Sequence, residues 1–322
     1  MMKKMMVLYN ETSGSSESKE IAERFKKAAE ARGEAVILQP SNPDIDPEEM
    51  RKNAKENQVG VLVVIGGDGT IHHAVQNFKD TIRDYQIGII PGGTVNNFAR
   101  VLSIPLKEED AFETILAGQT TPVDFGMVNQ DVMISTLTIG LLADTAANVT
   151  QQEKQKYGPL AFTKQFFRLL MKKKKYKLKI DGDERRWHGK AQLLTMTMTN
   201  SAGGFTNFDA NATPDDGEVH IIILPKLVFY KFVYYLPKII RGQLNVIPGV
   251  VYFSGSQFKI SGEKDKKVQT RTDGDPTDDL PIKVTVEAGG LNVFVPETST
   301  STKEQKKQLL FFRGIDFSFC VQ

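Results

Sequence analysis

Cysteine is almost missing from this sequence, and so is any excess of charge of one sign. Cys320 is the only cysteine among 322 residues, which excludes an intramolecular disulfide and a zinc site made of thiolates. Lys and Arg number 41 against 39 Asp and Glu, and this balance argues against a protein that coats nucleic acid. We therefore expect a protein of the reducing cytoplasm without a nucleic-acid partner.

A long uninterrupted hydrophobic run is also missing. The most apolar stretch covers residues 219–240, and it is broken by Pro225, Lys226, Lys231, Pro237 and Lys238. A membrane-spanning helix needs about 20 largely uncharged apolar residues. The hydrophobic stretch that ends at Tyr9 is too short for the core of a signal peptide. We expect no export signal and no membrane span, although the protein can still touch a membrane surface.

Alternating strand and helix signals fill the first third of the chain. A short apolar run ends at Tyr9, apolar residues then recur at helical spacing as far as Gly33, and an aliphatic run occupies residues 59–65. A strand that is apolar at every position is typical of a parallel sheet buried on both faces. The pattern predicts a doubly wound α/β domain over residues 1–125.

The period of the apolar residues changes to two from about Thr121, as in residues 192–198, and Asp-Gly pairs separate short runs. This predicts a C-terminal, mostly antiparallel β-sandwich domain over residues 126–296, interrupted by helices at about 157–175 and 227–241. We expect residues 297–322 to pack back on the first domain. Exposed strand edges in the second domain would permit a homodimer.

A glycine-rich turn carries the strongest sign of chemistry. It consists of Gly66, Gly67, Asp68, Gly69 and Thr70, between the aliphatic run and a helix, and ligands of open α/β sheets bind beyond the carboxyl ends of the strands. Glycines let the backbone approach a phosphate, and a helix N-terminus offers N–H donors. Because Asp68 would repel phosphate unless Mg²⁺ bridges them, the turn predicts a magnesium nucleotide. A tight turn capped by the aspartate is the alternative.

Two more polar turns follow neighbouring strands. The turn at residues 91–100 contains Gly93, Thr94 and Asn96, and the turn at residues 10–14 contains Asn10, Thr12, Ser13 and Gly14. Together the three turns predict a nucleotide site assembled from strand ends. The chain has no G-x-x-x-x-G-K-[ST] motif, and its glycine turn is not G-x-G-x-x-G, which excludes the Walker A and Rossmann classes of site.

These motifs resemble those of the soluble diacylglycerol kinase-type lipid kinases, a family that includes bacterial phosphatidylglycerol kinase-like proteins and the eukaryotic sphingosine and ceramide kinases. The motifs are N-x-x-S-G at residues 10–14, G-G-D-G-T at 66–70 and G-T-x-N-x-F-A-R at 93–100. Further along, residues 214–217 resemble the family's metal loop, and residues 273–275 resemble its D-G-E catalytic turn. The resemblance runs in unbroken order from about residue 4 to 296, and it implies an ATP-dependent and Mg²⁺-dependent kinase of lipids such as diacylglycerol.

The resemblance also implies a role for each turn. ATP would lie among the turns at 10–14 and 67–73, next to Thr94 and Ser41, and Asp68 would help to organise Mg·ATP. Asp275, beside Asp273, would take the proton of the lipid hydroxyl as its oxygen attacks the γ-phosphate. A positioned carboxylate is a suitable base for this step.

Acidic residues of the second domain would complete the site. A structural Mg²⁺ is implied at Asp216, with backbone carbonyls near Thr213 and Glu218 as further ligands, and these oxygen ligands suit a hard cation. On the residues alone, a plain turn is the alternative. The resemblance places Asp124 in an acidic network at the domain junction, for which a plain surface aspartate is the alternative.

The chain departs from the family pattern at three places. Asn97 stands where the family usually has Asp, His72-His73 stand for Asn-Glu, and Asp275 stands for Glu. Asp is shorter than Glu by one C–C bond, about 1.5 Å, and general-base catalysis depends on hydrogen-bond reach. Asn97 cannot carry a negative charge. Histidines on this helix are more often packing or capping residues than ligands.

A run of basic residues points to the membrane surface. Eight Lys and Arg and no acidic residue occur between Leu160 and Ile180, including Lys172–Lys175, and each cation near an anionic leaflet contributes about 1 kcal/mol to binding. We expect anionic phospholipid to bind Lys172–Lys175 and the enzyme to be peripheral to the inner membrane face. A solvated helix end is the alternative. The lipid would enter an apolar groove between the domains, with the helix at 227–241 as a wall.

Three functions remain open at this point: an ATP-dependent lipid kinase, a catalytically degenerate protein that binds nucleotide or lipid, and a relative of NAD kinases. The substitutions at Asn97 and Asp275 motivate the second. The third shares the G-G-D-G-T turn but lacks the N-x-G-x-x-G-F turn expected of that family. The kinase hypothesis accounts for the most motifs.

Overall fold

The N-terminal lobe is built on four parallel strands. The computed structural model describes residues 4–10, 16–41, 45–140, 174–183, 185–200, 209, 211–226, 229–264 and 266–297. The strands are β1 (Lys4–Tyr9), β2 (Val36–Pro40), β3 (Val59–Gly66) and β4 (Gln86–Pro91), and they lie in the order β2-β1-β3-β4. Residues 61–65 of β3 are at most 2% exposed, as the aliphatic run predicts for a strand covered on both faces.

Helices cover both faces of this sheet. They are α1 (Ser16–Glu30), α2 (Pro47–Glu56), α3 (Asp68–Phe78), α4 (Asn97–Val101) and α5 (Glu108–Ala117), with a 3-10 turn at Ile82–Asp84. Side chains of a strand alternate between faces, and Val7 of β1 accordingly packs with Phe25 of α1 and Phe112 of α5. Its neighbour Leu8 packs on the other face with Ile71 of α3.

The C-terminal lobe is a sandwich of antiparallel strands. Its strands are β5 (Thr120–Val128), β6 (Asp131–Met133), β7 (Thr136–Gly140), β8 (Tyr176–Gly182), β9 (Arg186–Ala191), β10 (Leu193–Thr197), β11 (Val219–Leu224), β12 (Val251–Gly255), β13 (Gln257–Ser261), β14 (Gln269–Thr272), β15 (Asp275–Asp279) and β16 (Ile282–Phe294). Six of them form one sheet in the order β12-β11-β10-β7-β14-β15. Leu194 and Met196 of this sheet pack against Ile180 and Phe258 of the other sheet.

The long strand β16 joins the two lobes into one sheet. Its first part pairs antiparallel with β13, from Ile282 to Thr285, and Asn292 and Val293 pair parallel with β4. The result is a ten-stranded sheet with the main order β2-β1-β3-β4-β16-β13-β8-β9, in which β5 also pairs with β16 and β6 with β5. The last strand of the β-rich lobe therefore returns to the parallel sheet, which fixes the position of one lobe against the other.

These observations confirm the predicted fold class, a doubly wound α/β domain followed by a mostly antiparallel β-sandwich. The predicted helix near residues 227–241 is α6 (Phe229–Ile240), followed by a 3-10 turn at Leu244–Val246. The predicted helix at 157–175 lies outside the described residues except for Lys174 and Lys175, which are not helical, and the tail from residue 298 also lies outside them. Among the helices that the structure describes, none combines the length and the apolar character needed to cross a membrane.

Candidate active site

Two glycine turns pack backbone to backbone at the carboxyl edge of the parallel sheet. The Gly92 N–H donates to the Gly66 carbonyl at 3.0 Å. A Cβ atom at Gly93 would lie 2.6 Å from Gly67 Cα, which is closer than any non-bonded carbon contact allows. The turns after β3 and β4 thus meet as predicted, and glycine at position 93 makes the contact possible.

Asp68 connects the same two turns through its side chain. One carboxylate oxygen accepts the backbone N–H of Asn97 and the other accepts that of Phe98, each at 2.9 Å. These are the first N–H groups of α4, which have no partner within their own helix. Asp68 therefore caps α4 from the neighbouring turn, which agrees with the capping role that the sequence offered as the alternative, and the magnesium nucleotide stays a prediction. Each oxygen keeps a second lone pair for a cation or a water.

The remaining residues of these turns either hold the backbone by hydrogen bonds or are exposed to solvent. Asn96, 7% exposed, has φ of 53° and bonds Gly93 twice: its Oδ1 accepts the Gly93 N–H at 2.9 Å, and its Nδ2 donates to the Gly93 carbonyl at 2.7 Å. Thr94 and Gly69 are exposed. A Cβ at Gly69 would have no atom within 4 Å, so there is space in front of the first turn of α3.

The ends of β1 and β2 lie at the same edge. Ser41 follows β2, and its N–H donates to the Tyr9 carbonyl at 2.8 Å, which places it beside Asn10 at the end of β1. Thr12, Ser13 and Gly14 lie outside the described residues. Asn10 and Ser41 thus join the glycine turns at one edge of the parallel sheet, as its topology requires.

The predicted Asp-Gly turn at residues 273–274 is a two-residue hairpin between β14 and β15. Positive φ angles occur at both positions, 52° at Asp273 and 99° at Gly274, as in turns that match the twist of paired strands. The Asp273 carboxylate accepts the backbone N–H groups of Ile134, Ser135 and Thr136 at 2.7 to 2.8 Å. These bonds fix the hairpin to the start of β7.

A fourth bond ties this hairpin to the N-terminal lobe. His72 Nδ1 lies 2.9 Å from Asp273 Oδ2, and both side chains are almost fully buried. Burial lowers the pKa of His72, but the hydrogen bond and the charge of Asp273 outweigh it, so the pKa is raised. Asp275 is exposed, and its charge acts on the pKa values of both His72 and His73. The hairpin therefore lies against α3, one helical turn beyond Asp68.

Asp273 and Asp275 therefore differ in burial and in hydrogen bonding. Asp273 is buried and already accepts four hydrogen bonds, which suits a residue that positions the hairpin. Asp275 faces solvent on the side of α3, where a carboxylate can receive a proton from an incoming hydroxyl. His72, which the sequence suggests as a packing or capping residue within the segment predicted to surround ATP, makes the contact that joins the lobes here.

The predicted metal loop gathers its residues around Asp216. The Asp216 carboxylate accepts the N–H groups of Thr213 at 2.8 Å and Glu218 at 3.0 Å, and His220 Nε2 lies 3.0 Å away. Burial raises the pKa of Asp216, but the hydrogen bonds from His220, Thr213 and Glu218 have the larger, opposite effect. The pKa therefore lies below its usual value, which favours the ionised carboxylate. No cluster of three acidic, histidine or cysteine side chains that could hold a metal occurs among the described residues. A cation here would need backbone carbonyls and water beside Asp216, as the sequence predicts.

Asp124 is not a surface residue. It is 3% exposed, and its carboxylate accepts the N–H groups of Gly217 and Gly289, each at 2.6 Å. Its own N–H donates to the Pro214 carbonyl at 2.7 Å. Burial raises the pKa of this carboxyl group. Asp124 thereby anchors the loop of Asp216 to β16, and the reading as a plain surface aspartate is wrong.

A row of unpaired polar atoms lies on the outer face of the six-stranded sheet. Thr195 and Thr197 of β10 alternate with the core residues Leu194 and Met196, so they point away from the sandwich core. Both threonine hydroxyls are buried without a hydrogen-bond partner among the described residues, and so is Arg271 Nε. Arg271 pairs with Thr138, which pairs with Thr195, and Arg271 Nη1 donates to the Gly274 carbonyl. The row therefore ends at the hairpin of Asp275.

Family models match both lobes of the chain. A model for the diacylglycerol kinase catalytic domain matches residues 4–128. A model for the YegS C-terminal NAD kinase beta sandwich-like domain matches residues 136–295. The two matches are consecutive and together span most of the described fold, so the likeness extends over both lobes.

Individual proteins show the same likeness. A diacylglycerol kinase of Staphylococcus epidermidis is 28% identical over 297 residues, which are 92% of this chain and 93% of the relative. A diacylglycerol kinase of Staphylococcus aureus is 29% identical over 297 residues, which again are 92% of this chain and 93% of the relative. A crystal structure of a diacylglycerol kinase from Bacillus anthracis has the same fold, with a TM-score of 0.75 and 20% identity, and the match covers 92% of this chain and 98% of that chain.

Proposed function

Since the chain belongs to the diacylglycerol kinase family, we propose that it is an ATP-dependent lipid kinase that transfers the γ-phosphate of ATP to a lipid hydroxyl. The observation that carries the proposal is the position of the Asp275 hairpin against α3, one helical turn from the glycine turn at Asp68. The proposed phosphate-binding turn and the candidate base would thus act at neighbouring positions along α3. A lipid hydroxyl bound between them would be close to both the phosphate and the base, as phosphoryl transfer requires.

ATP would bind at the edge formed by the glycine turns. Gly69 leaves room for a phosphate in front of the first N–H groups of α3, where the helix dipole favours a negative charge. Thr94, Asn10 and Ser41 would contact the rest of the nucleotide. Asp68 would organise Mg·ATP through the lone pairs that its bonds to α4 leave unused. Mg²⁺, when bound there, would neutralise charge on the phosphates.

Asp275 would act as the general base. An alcohol is a weak nucleophile, and a carboxylate within hydrogen-bond reach can accept its proton while the oxygen attacks phosphorus, a contribution of typically about 10²–10⁴-fold. Because the shorter Asp replaces the Glu of related proteins, the hairpin itself must bring the carboxylate close. Asp273, anchored by His72 and by three backbone N–H groups, would hold the hairpin in that position.

The acceptor lipid would lie along the outer face of the six-stranded sheet. The unpaired hydroxyls of Thr195 and Thr197 and the Nε atom of Arg271 are groups that a polar headgroup could satisfy, since an unbonded buried polar group costs about 1–3 kcal/mol. Arg271 also contacts the hairpin turn at Gly274. A headgroup bound in this row would therefore present its hydroxyl toward Asp275.

Two further parts of the proposal concern stability and location. A structural Mg²⁺ would bind at Asp216 with oxygens near Thr213 and Glu218, because the ionised carboxylate and hard oxygen donors suit this ion. The basic run that includes Lys172–Lys175 would hold the enzyme on anionic phospholipid at the inner face of the cytoplasmic membrane. Lys172 and Lys173 lie outside the described residues.

An assay with labelled ATP tests the proposal. Purified protein is incubated with Mg²⁺, [γ-³²P]ATP and diacylglycerol, phosphatidylglycerol or a long-chain base, and in parallel with NAD. Label in a lipid supports the kinase, whereas label only in NAD supports the alternative of a NAD kinase relative. A third result is a native protein that labels neither lipid nor NAD while the double variant Asn97→Asp/Asp275→Glu labels a lipid. This result would show that the alternative of a catalytically degenerate protein is correct.

A further inference from the structure

The stretch around helix α6 is entirely free of acidic residues. The sequence contains no Asp or Glu between Glu218 and Glu263, while it contains Lys226, Lys231, Lys238, Arg241 and Lys259. In the whole chain the two signs of charge are nearly equal in number. The positive charge of this segment is therefore local: Lys226, Lys231, Lys238 and Arg241 lie on or near the helix in sequence, whereas Lys259 lies on β13.

One face of α6 packs on the six-stranded sheet. Tyr235 and Ile239, four residues apart on the helix, pack against Ile222 of β11 and Ile247, which follows the 3-10 turn. Residues four apart lie on the same face of a helix. Ile222 pairs with Thr195 across β10 and β11. This face of α6 is thereby fixed next to the row of unpaired hydroxyls.

The opposite face carries exposed aromatic side chains. Tyr230 and Tyr234 are also four residues apart, and they are 68% and 75% exposed. The Tyr234 ring contacts the Tyr235 ring edge-on, with 4.8 Å between the ring centroids, but most of the surface of Tyr230 and Tyr234 faces solvent. Val246, which ends the 3-10 turn after the helix, is 55% exposed. Large apolar groups therefore project from α6 and from the turn that follows it.

Cations border this aromatic face. Lys231 and Lys238, seven residues apart, follow the two tyrosine positions on the helix, and the exposed Arg241 comes directly after the helix end. Lys238 Nζ lies 5.8 Å from the centre of the Tyr235 ring. A helix face that only contacts water has no need of paired tyrosines, and it usually carries charges of both signs.

We propose that α6 is the interfacial helix of this protein and that Tyr230 and Tyr234 enter the headgroup region of an anionic bilayer. Tyrosine is enriched at membrane–water interfaces because its ring is apolar and its hydroxyl is polar. Lys231, Lys238 and Arg241 supply the attraction to anionic lipid. The choice of a bilayer as partner rests on the proposed lipid substrate, and the docked helix would sit beside Thr195, where the acceptor is proposed to bind.

Binding to vesicles tests this proposal without any phosphoryl transfer. The full-length protein is sedimented with phosphatidylcholine vesicles that contain either no or 30% phosphatidylglycerol. Tyr230→Ala/Tyr234→Ala should weaken binding to the anionic vesicles at least tenfold. Lys231→Gln/Lys238→Gln should weaken it roughly fivefold per lysine, the equivalent of about 1 kcal/mol for each cation. Lys190→Gln/Lys259→Gln, which removes two exposed lysines from the other sheet, is the matched control and should bind like the native protein.

A fluorescent reporter shows whether the tyrosine position itself is inserted. Trp187 is the only tryptophan of the chain, so Trp187→Phe/Tyr234→Trp places a single tryptophan on α6. Its emission should shift to shorter wavelength on anionic vesicles and be quenched by brominated lipids. Unchanged emission together with unchanged binding of the tyrosine variant overturns the proposal. Both readings are independent of kinase activity, which is measured separately with a substrate dispersed in detergent micelles, so a failure here leaves the proposed function standing.

Discussion

His72 Nδ1 lies 2.9 Å from the Asp273 carboxylate, and this contact joins a helix of the N-terminal lobe to a hairpin of the C-terminal lobe. The pair is buried, with 9% and 4% of the two side chains exposed. Three backbone N–H groups of the C-terminal lobe hold Asp273, and among the four hydrogen bonds of this carboxylate only the one with His72 reaches the N-terminal lobe. It thereby fixes the distance between the glycine turn on α3 and Asp275.

The first prediction concerns the pH dependence of this contact. The pKa of His72 is raised in the folded state, so its protonation stabilises the fold below the unfolded value of about 6.5. That stabilisation is lost as the pH rises through the folded-state pKa. His72→Gln should lower the free energy of unfolding by about 1–2 kcal/mol at pH 6. The difference from the native protein should shrink toward pH 9, as measured by denaturant unfolding.

His73 provides a control, because the effect of its protonation on stability has the opposite sign. Burial lowers the pKa of His73, and the charge of His72 lowers it further, so its protonation disfavours the folded state and stability rises with pH in that range. His73→Gln should therefore help the fold at low pH. A His72→Gln variant whose stability difference stays constant from pH 6 to pH 9 would contradict the charged contact with Asp273.

The second prediction compares two glycines of the proposed nucleotide site. Gly93→Ala would place a Cβ 2.6 Å from Gly67 Cα and 2.7 Å from Asn96 Oδ1, and we expect a loss of about 1–3 kcal/mol in unfolding free energy. Gly69→Ala has open space and lies in α3, so stability should stay equal or rise by about 0.5–1 kcal/mol. Nucleotide affinity should nevertheless fall at least tenfold for Gly69→Ala, measured by calorimetry. Native affinity in that variant would show that phosphate does not bind in front of α3.

The glycine turns illustrate what the sequence could predict. The aliphatic run at 59–65 and the Asp-Gly pair at 273–274 are local signals, and each predicted element is present where its signal stands. Local signals suffice because strand burial, helix capping and turn conformation depend on a few consecutive residues. The position of Asn10 at the same edge as the turns after β3 and β4 follows from the parallel sheet.

Contacts between distant segments could not be predicted from such local patterns. The pairing of His72 with Asp273 joins residues 201 positions apart, and nothing in either segment signals the other. The period of two in residues 192–198 predicted a strand, but it did not indicate that residues 193–197 are all buried. The return of β16 to β4 was missed for the same reason, since a strand pattern does not name its partner.

The third prediction tests the proposed structural cation. Magnesium chloride should raise the melting temperature of the native protein without nucleotide, by the equivalent of about 2.7 kcal/mol at a hundredfold excess over the dissociation constant. Asp216→Asn should abolish this rise. Asp215→Asn removes the same charge from the neighbouring residue and should keep it. An equal rise in Asp216→Asn, in thermal scans at constant ionic strength, would place the cation elsewhere.

The fourth prediction concerns the unpaired hydroxyls of the proposed acceptor site. Thr195→Val removes a buried hydroxyl without a partner among the described residues, so stability should rise by up to about 1–3 kcal/mol. If the hydroxyl binds the headgroup, KM for the lipid should increase severalfold. Thr270→Val is the control, because Thr270 donates to the Asp278 carbonyl at 2.7 Å, and it should lose about 1 kcal/mol. An unchanged KM for Thr195→Val would remove this residue from the site.

The most direct measurement is the transfer of phosphate from [γ-³²P]ATP to diacylglycerol in mixed micelles by the native protein and by Asp275→Asn. Asp275 is exposed at the hairpin turn, so the variant should fold with the native melting temperature. We expect magnesium-dependent labelling of the lipid by the native protein and a loss of about 10²–10⁴-fold in kcat for the variant. A native protein that binds ATP yet labels no hydroxylated lipid, or a variant as active as the native protein, would contradict the account.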